Sequence, residues 1–238
     1  MTDLTIIIVQ KYDHIHLRRS LESVAEFSQI NKFTKVIIKS FGKTDDHACT
    51  ICNDFSELLD LSHIVCLDNS IYDAMNQAAA HVRTKYLMFL NAGDVFSLPI
   101  PKIGSELAKD PYILKYLVQV EDGKVRLERA SWIYFLRRML NHQGLIYSRE
   151  SFGDGFHPDN LVAGDLRHIV EHGRYKKISY VDEVLVEYLG NGFAAQEKNV
   201  LKNWCERRRA YSWVKSGLFL RFALSTFAFL RLKMRRIL

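Results

Sequence analysis

Asp68-Asn69-Ser70-Ile71-Tyr72-Asp73-Ala74-Met75-Asn76-Gln77-Ala78 is followed, a short distance on, by Tyr86-Leu87-Met88-Phe89-Leu90-Asn91-Ala92-Gly93-Asp94. In the first stretch Ile71, Met75, Ala78, Ala79 and then Val82 recur at helical spacing. In the second, a continuous apolar run of the kind needed by a strand covered on both faces stops abruptly at Asn91. A helix feeding a buried strand that breaks on a Gly-containing turn is one crossover of a parallel sheet. The same rhythm extends upstream. Residues 4–9 read as a buried strand, and Leu17, Leu21, Val24 and Phe27 as a helix face. Val36-Ile37-Ile38 is a strand, residues 45–60 a helix, and Ile64-Val65-Cys66-Leu67 a third strand. This alternation predicts an α/β fold with a mostly parallel central sheet, flanking helices and right-handed crossovers. Ligands of such sheets bind beyond the carboxyl ends of the strands, which points to residues 10–13, 40–45, 68–73 and 91–94.

After Pro99 and Pro101 the rhythm changes. Residues 116–125 alternate around Glu121-Asp122-Gly123-Lys124, a hairpin signal. Residues 131–139 are aromatic-rich and read as a helix, Leu145-Ile146-Tyr147 as a strand, and residues 163–172 as a helix after a loop at Gly153, Gly155 and Pro158. There is no internal repeat, no G-x-G-x-x-G and no phosphate loop.

The chain has 238 residues, 48% hydrophobic and 25% charged, with 12 Gly and 4 Pro, which excludes a disordered chain, a collagen-like repeat and a disulfide miniprotein. Its net charge of +6 suggests nucleic acid or an anionic membrane until the charge is located. Residues 201–238 hold ten basic side chains and one acid, Glu206, so this segment is +9 and residues 1–200 are −3. The expected organisation is a globular domain over 1–200 and a basic, apolar helical segment over 201–238. Residues 217–230 are apolar but contain Arg221, and at about fourteen residues fall short of the ~20 that a spanning helix needs. Basic flanks around Trp, Phe and Leu suit a helix lying in an anionic membrane interface. A helix packed on the body or on a second copy, in a homodimer, is the competing expectation. Nucleic acid would account for the charge but not for the Phe and Leu, so no nucleic-acid partner is expected.

The N-terminus lacks a positive n-region and reads as a strand rather than a signal peptide. Four unevenly spaced cysteines do not form a disulfide framework, so the expected compartment is the cytoplasm, with the protein peripheral on the inner face of the cytoplasmic membrane. His47, Cys49, Cys52, His63 and Cys66 include zinc-ligand types, but their spacing fits no compact zinc module closely, and the cysteines are expected to be small core residues.

Asp94, just past a buried strand, would project into the crevice where a divalent cation and a diphosphate can sit. Asn-x-Gly-Asp is equally what a plain turn uses. Asp73 and Asn76 lie one turn apart at a helix start, where capping competes with binding. The second notable pair is His142-Gln143-Gly144 and Ala163-Gly164-Asp165. Asp165 opens a helix, so N-capping competes with catalysis there too.

These segments resemble bacterial family 2 glycosyltransferases of polysaccharide biosynthesis, the colanic-acid type with the GT-A fold. That family shows D-x-G-I-Y-D-A-M-N-K-G, then F-L-N-x-G-D, then H-Q, then a later A-D before a helix. The resemblance spans roughly residues 1–195 and is densest over 71–94. It implies that residues 91–94 occupy the place of the metal-binding D-x-D-type motif, with Asp94 the ligand of Mg²⁺ or Mn²⁺ and Asn91 beside the donor. It implies Asp165 as general base, Asp68 and Asp73 as donor contacts, and His142 and Gln143 as the floor near the acceptor. The partners implied are a nucleotide-sugar donor and a saccharide acceptor carried on a polyprenyl lipid. The departures fall on the nucleotide half. Where the family has T-Y-N the chain has Gln10-Lys11-Tyr12, and where it has D-G-G-S-T-D the chain has Ser40-Phe41-Gly42-Lys43-Thr44-Asp45, so only Thr44 and Asp45 remain. The alternative is therefore a catalytically silent GT-A protein serving as a scaffold in a polysaccharide assembly complex. A nucleotidyltransferase is disfavoured by the missing glycine-rich loop.

Overall fold

A computed structural model describes residues 3–32, 34–120, 122–131, 134–135, 140–189 and 199–211. The chain divides into two compact units. The first comprises Met1–Leu127, Asn141–Asp154 and Ser179–Gly190; the second comprises Glu128–Leu140, Gly155–Ile178 and Asn191–Leu238.

The first unit is built on β1 (Leu4–Gln10), all of whose residues are buried. A fully covered strand needs an unbroken apolar run, and that is how its sequence reads. β2 (Thr34–Phe41) and β4 (Tyr86–Asn91) flank β1 in parallel, and β3 (Asp60–Cys66) extends the sheet beyond β2. The order β3-β2-β1-β4 means that the chain builds outward on one side of β1 and then returns to the other. The reversal lies between β1 and β4, where the carboxyl ends open a crevice. Beyond β4 the sheet turns antiparallel through β8 (Leu145–Ser148) and β6 (Ile113–Val120). It continues to β9 (Ile178–Tyr188), which pairs with β5 (Val95–Phe96). β7 (Val125–Arg126) folds back on β6 through the expected hairpin, with Gly123 at φ +76° donating to the Val120 carbonyl at 2.8 Å.

Helix α1 (His14–Ile30) buries Leu17, Leu21, Val24 and Phe27, the predicted face, and Phe27 stacks on Phe96 at 3.9 Å between ring centroids. Truncating one such core side chain to Ala typically costs about 2–5 kcal/mol. Helix α2 (Asp46–Phe55) stops short of the expected residue 60, because β3 already begins there. β3 is an edge strand carrying Asp60, Ser62 and His63, so its first half gives no apolar signal. Helix α3 (Ile71–Ala79) is capped by Ser70, whose hydroxyl accepts the Asp73 N–H, and it buries Tyr72, Ala74, Met75 and Ala78.

In the second unit the helix Gly164–Val170 lies within the predicted 163–172. Of the helix expected over 131–139, Tyr134 and Phe135 are helical; residues 132–133 and 136–139 lie outside the described residues, as do 212–238 of the basic segment. Among the described residues no helix is long and apolar enough to cross a membrane.

Candidate functional site

At the ends of β1 and β2, Gln10 stands opposite Ser40 in the ladder. The Gln10 amide donates to Ser40 Oγ and, at 2.6 Å, to Asp45 Oδ2, while its oxygen accepts the Asp13 N–H at 3.0 Å. Asp45 Oδ1 accepts the Ala48 N–H at 3.1 Å as the cap of α2 and lies 2.9 Å from His14 Nε2. Burial works against the Asp45 charge, but the bonds from Ala48, Gln10 and His14 outweigh it and hold the carboxyl below its ordinary range. Ser40 Oγ also lies 2.8 Å from His63 Nε2, and burial keeps this imidazole below its usual value against the opposing pull of Asp45. Thr44 is exposed beside this network.

His63 Nδ1 lies 3.5 Å from Cys49 Sγ, and Cys49 is exposed rather than in the core. The reason is its helix position: α2 turns Ala48, Ile51, Cys52 and Phe55 inward and leaves Cys49 outside. Burial pushes the Cys52 thiol up to about 12. Among the described residues no group of three or more His, Cys, Asp or Glu side chains is arranged to hold a metal.

On the next loop Asp68 meets the buried Lys39 ammonium at 2.5 Å. Asp73 accepts the Asn69 N–H at 2.8 Å and the Gln77 amide at 3.3 Å, so its carboxylate shapes the turn between β3 and α3. Both acids sit where the sequence places them, and both are engaged by their own neighbours.

The end of β4 is different. Gly93 adopts φ +98°, and a Cβ there would meet Leu189 Cδ2 at 2.8 Å, so only glycine makes this turn without strain. Ser20 Oγ accepts the Gly93 N–H at 2.8 Å and donates to the Asp94 carbonyl at 2.9 Å, tying the turn to α1. Asp94 is only 2% exposed. Its Oδ1 accepts the Leu189 N–H at 3.0 Å, whereas Oδ2 is buried with no hydrogen-bond partner among the described residues, and so is Asn91 Oδ1. Burial pushes the Asp94 carboxyl up to about 6, against the Leu189 N–H, the charge of His142 and the Gln143 amide. His142 and Gln143, on the 3-10 turn His142–Gly144, are thus brought beside Asp94.

Buried polar atoms are normally paired, so two orphaned oxygens at one strand end ask for a partner. A carboxylate and an amide oxygen are hard donors, and Mg²⁺ or Mn²⁺ is commonly held by one or two carboxylates plus substrate phosphates rather than by an all-protein cage. The residues present fit such an ion.

Asp165 belongs to the second unit, in the first turn of Gly164–Val170, 8% exposed, with Oδ1 accepting the Leu166 N–H at 2.8 Å. The loop before it is held by a residue that the sequence marks only as the one acid of residues 201–238. Glu206, on the helix Val200–Tyr211, accepts the N–H groups of Leu161, Val162 and Ala163, each at 2.8 Å. On the same helix Arg207 donates to the Phe135 carbonyl at 3.1 Å. The described part of the 201–238 segment is therefore packed within the second unit. The available signal was Glu206 itself, the single acid among ten bases.

Neither a protein-family model nor a curated protein matches the sequence. Solved structures do. The S. aureus TarS fragment 1–349 in complex with UDP-GlcNAc superposes with a TM-score of 0.71 at 12% identity, over 98% of this chain and 73% of that one. The mannosyltransferase PcManGT from Pyrobaculum calidifontis, in complex with GDP-Man and Mn²⁺, gives 0.66 at 11% identity, over 98% and 73%. The fold is that of the GT-A-like glycosyltransferases.

Within this GT-A-like fold the first unit brings Asn91, Asp94, His142 and Gln143 together at the end of β4. It gathers Asp45 with Gln10 and Ser40 at the ends of β1 and β2, and pairs Asp68 with Lys39 alongside. Lys39 is the member that the sequence did not mark; Gln10 and Ser40 fall in the crevice stretches 10–13 and 40–45 but stand there as departures from the family pattern, and His63 stands only among the zinc-ligand types.

Proposed function

We propose that the protein is an inverting glycosyltransferase that moves a sugar from a nucleoside-diphosphate donor to a hydroxyl of a saccharide acceptor. The observation that carries this reading is the pair of orphaned oxygens, Asp94 Oδ2 and Asn91 Oδ1, at the switch point of a glycosyltransferase-type sheet. The UDP-GlcNAc and GDP-Man complexes of the two superposed proteins support the donor class. Asp94, with Asn91 beside it, would hold Mg²⁺ or Mn²⁺, which supplies neutralisation of the leaving diphosphate. His142 and Gln143, beside Asp94, line the floor near the acceptor. Asp165 accepts the proton of the attacking hydroxyl, whose acidity rises as its bond to the anomeric carbon forms. Attack in one step on an oxocarbenium-like centre inverts the configuration, as it does in the corresponding hydrolases. The acceptor is read as polyprenyl-linked, which places the protein on the cytoplasmic face of the membrane, held there by residues 212–238.

The second reading, a silent scaffold of a polysaccharide assembly complex, draws on a specific observation: Asp45 and Asp68 are satisfied internally, by Gln10 and α2 and by Lys39. Calorimetry with UDP- and GDP-sugars, with and without Mn²⁺, separates the two. Metal-dependent binding of one donor is the expected result, and no such binding to any donor sinks the enzyme reading. With the right donor and acceptor, Asp165→Asn abolishes transfer while donor binding persists; unchanged turnover removes Asp165 as base.

A further inference from the structure

We propose that Glu206 is a positioning residue for Asp165, acting through the loop Leu161-Val162-Ala163; this rests on the assignment of Asp165 as base. Three successive backbone N–H groups converge on one carboxylate. Oε1 accepts from Leu161, and Oε2 accepts from both Val162 and Ala163. Glu206 is 3% exposed, and a carboxylate taken out of water is tolerated only when its oxygens are satisfied by strong donors, as these are.

The helix bearing Asp165 has no side-chain cap of its own, because its N-cap is Ala163. Gly164, the residue between the cap and Asp165, has no side chain with which to anchor the turn. The direction in which the chain enters the helix is thus fixed from outside, by an acid on the helix Val200–Tyr211. Arg207, next in sequence and also buried, pins that helix through the Phe135 carbonyl. The chain therefore spends the one acid of residues 201–238 on an inward contact rather than on balancing the basic charge. A base must sit within hydrogen-bond reach of the proton it takes, and an error of about 1 Å in its placement can cost a hundredfold in rate.

The test uses the full-length chain. Glu206→Gln keeps the shape but turns an amide NH₂ toward backbone donors. It should lower kcat about tenfold to a hundredfold while the calorimetric Kd for the donor changes by less than about twofold. Glu206→Asp, which keeps the charge, should recover part of that loss. Wild-type kcat in Glu206→Gln overturns the proposal, and so does parallel loss of donor binding and turnover, which would mark a general fold defect. Amide hydrogen exchange on the wild-type chain is an independent readout: Leu161, Val162 and Ala163 should be protected, and exchange at the rate of an open loop refutes the anchor. If the wild-type chain transfers no sugar from any donor, the base assignment falls. The exchange measurement, compared between wild type and Glu206→Gln, then still decides whether Glu206 holds the loop.

Discussion

Lys39 Nζ and Asp68 Oδ2 form an ion pair at 2.5 Å, with the lysine side chain wholly buried and the aspartate side chain 13% exposed. The ammonium has three protons and three acceptors: Asp68, the Cys66 carbonyl at 2.8 Å and the Ser40 carbonyl at 3.2 Å. Lys39 therefore has no proton left for a phosphate, and its work is to fix the loop between β3 and α3. Removing one partner of a buried pair leaves an uncompensated charge, which typically costs about 3–5 kcal/mol. Asp68→Asn is expected to lose stability on that scale in urea unfolding. Lys39→Met should lose less, because the stranded Asp68 reaches water. The double variant should cost less than the sum of the two. A loss below about 1 kcal/mol for Asp68→Asn would show that the pair does not hold the loop.

Asp94 gives a pH dependence of definite sign. Its carboxyl is pushed up to about 6 by burial, above the 3.8 of an ordinary aspartate. A raised folded-state value means that the folded protein binds the proton more tightly than the unfolded chain does. Its contribution to stability is therefore complete below about pH 4 and lost as the pH rises through about 6. The shift corresponds to roughly 3 kcal/mol between those limits. In EDTA, Asp94→Asn should melt higher than wild type at pH 7.5 and about equally at pH 4. Equal melting at both pH values would show that the burial of this charge carries no strain. A fold stabilised by removing the acid proposed to hold the metal would be the usual exchange of stability for function.

The parallel half of the fold is readable in the sequence because its strands are covered on both faces, and 4–9, 36–38 and 86–90 announce themselves as apolar runs. The first half of β3 is not, since at the sheet edge it is poorly covered: Asp60 and Ser62 are exposed and Leu61 and His63 only half-buried. The site is legible where one local segment makes it, as in Asn91-Ala92-Gly93-Asp94. It is not legible where it depends on pairing across strands. Gln10 and Ser40 read as two separate losses from a family pattern, thirty residues apart. In the ladder they are opposite one another, and the Gln10 amide spans Ser40 and Asp45, so the two departures are one interaction. Glu206 was hidden for the same reason, because its partners lie more than forty residues upstream.

Two glycines hold the walls beside Asp94. A Cβ at Gly93 would enter at φ +98° and touch Leu189, whose N–H is the Asp94 partner. A Cβ on Gly144, next to Gln143, would lie 2.7 Å from the Tyr116 carbonyl and 2.6 Å from Lys115 Nζ. A leucine end can yield, whereas a strand carbonyl cannot without moving β6. Gly93→Ala should therefore lose about 1–3 kcal/mol from its backbone strain. Gly144→Ala should lose at least as much, and both should weaken Mn²⁺-dependent donor binding in calorimetry. Wild-type stability and binding in Gly144→Ala would show that the turn His142–Gly144 is not pressed against β6.

The membrane expectation now rests on residues 212–238, which carry six basic side chains and no acid. The anchors of the preceding helix, Glu206 and Arg207, lie before that point, so a chain ending at residue 211 keeps these described contacts of the second unit. Its melting temperature should match that of the full chain. Each basic residue near an anionic surface contributes about 1 kcal/mol, screened by salt, while the Phe and Leu contribution is not screened. The full chain should therefore sediment with phosphatidylglycerol vesicles, less so in high salt, and bind phosphatidylcholine vesicles more weakly. The truncated chain should stay in the supernatant. If the full chain ignores both vesicles but associates with itself in a way that truncation abolishes, the segment is a subunit contact and the membrane assignment fails. If truncation instead lowers the melting temperature, residues 212–238 belong to the fold.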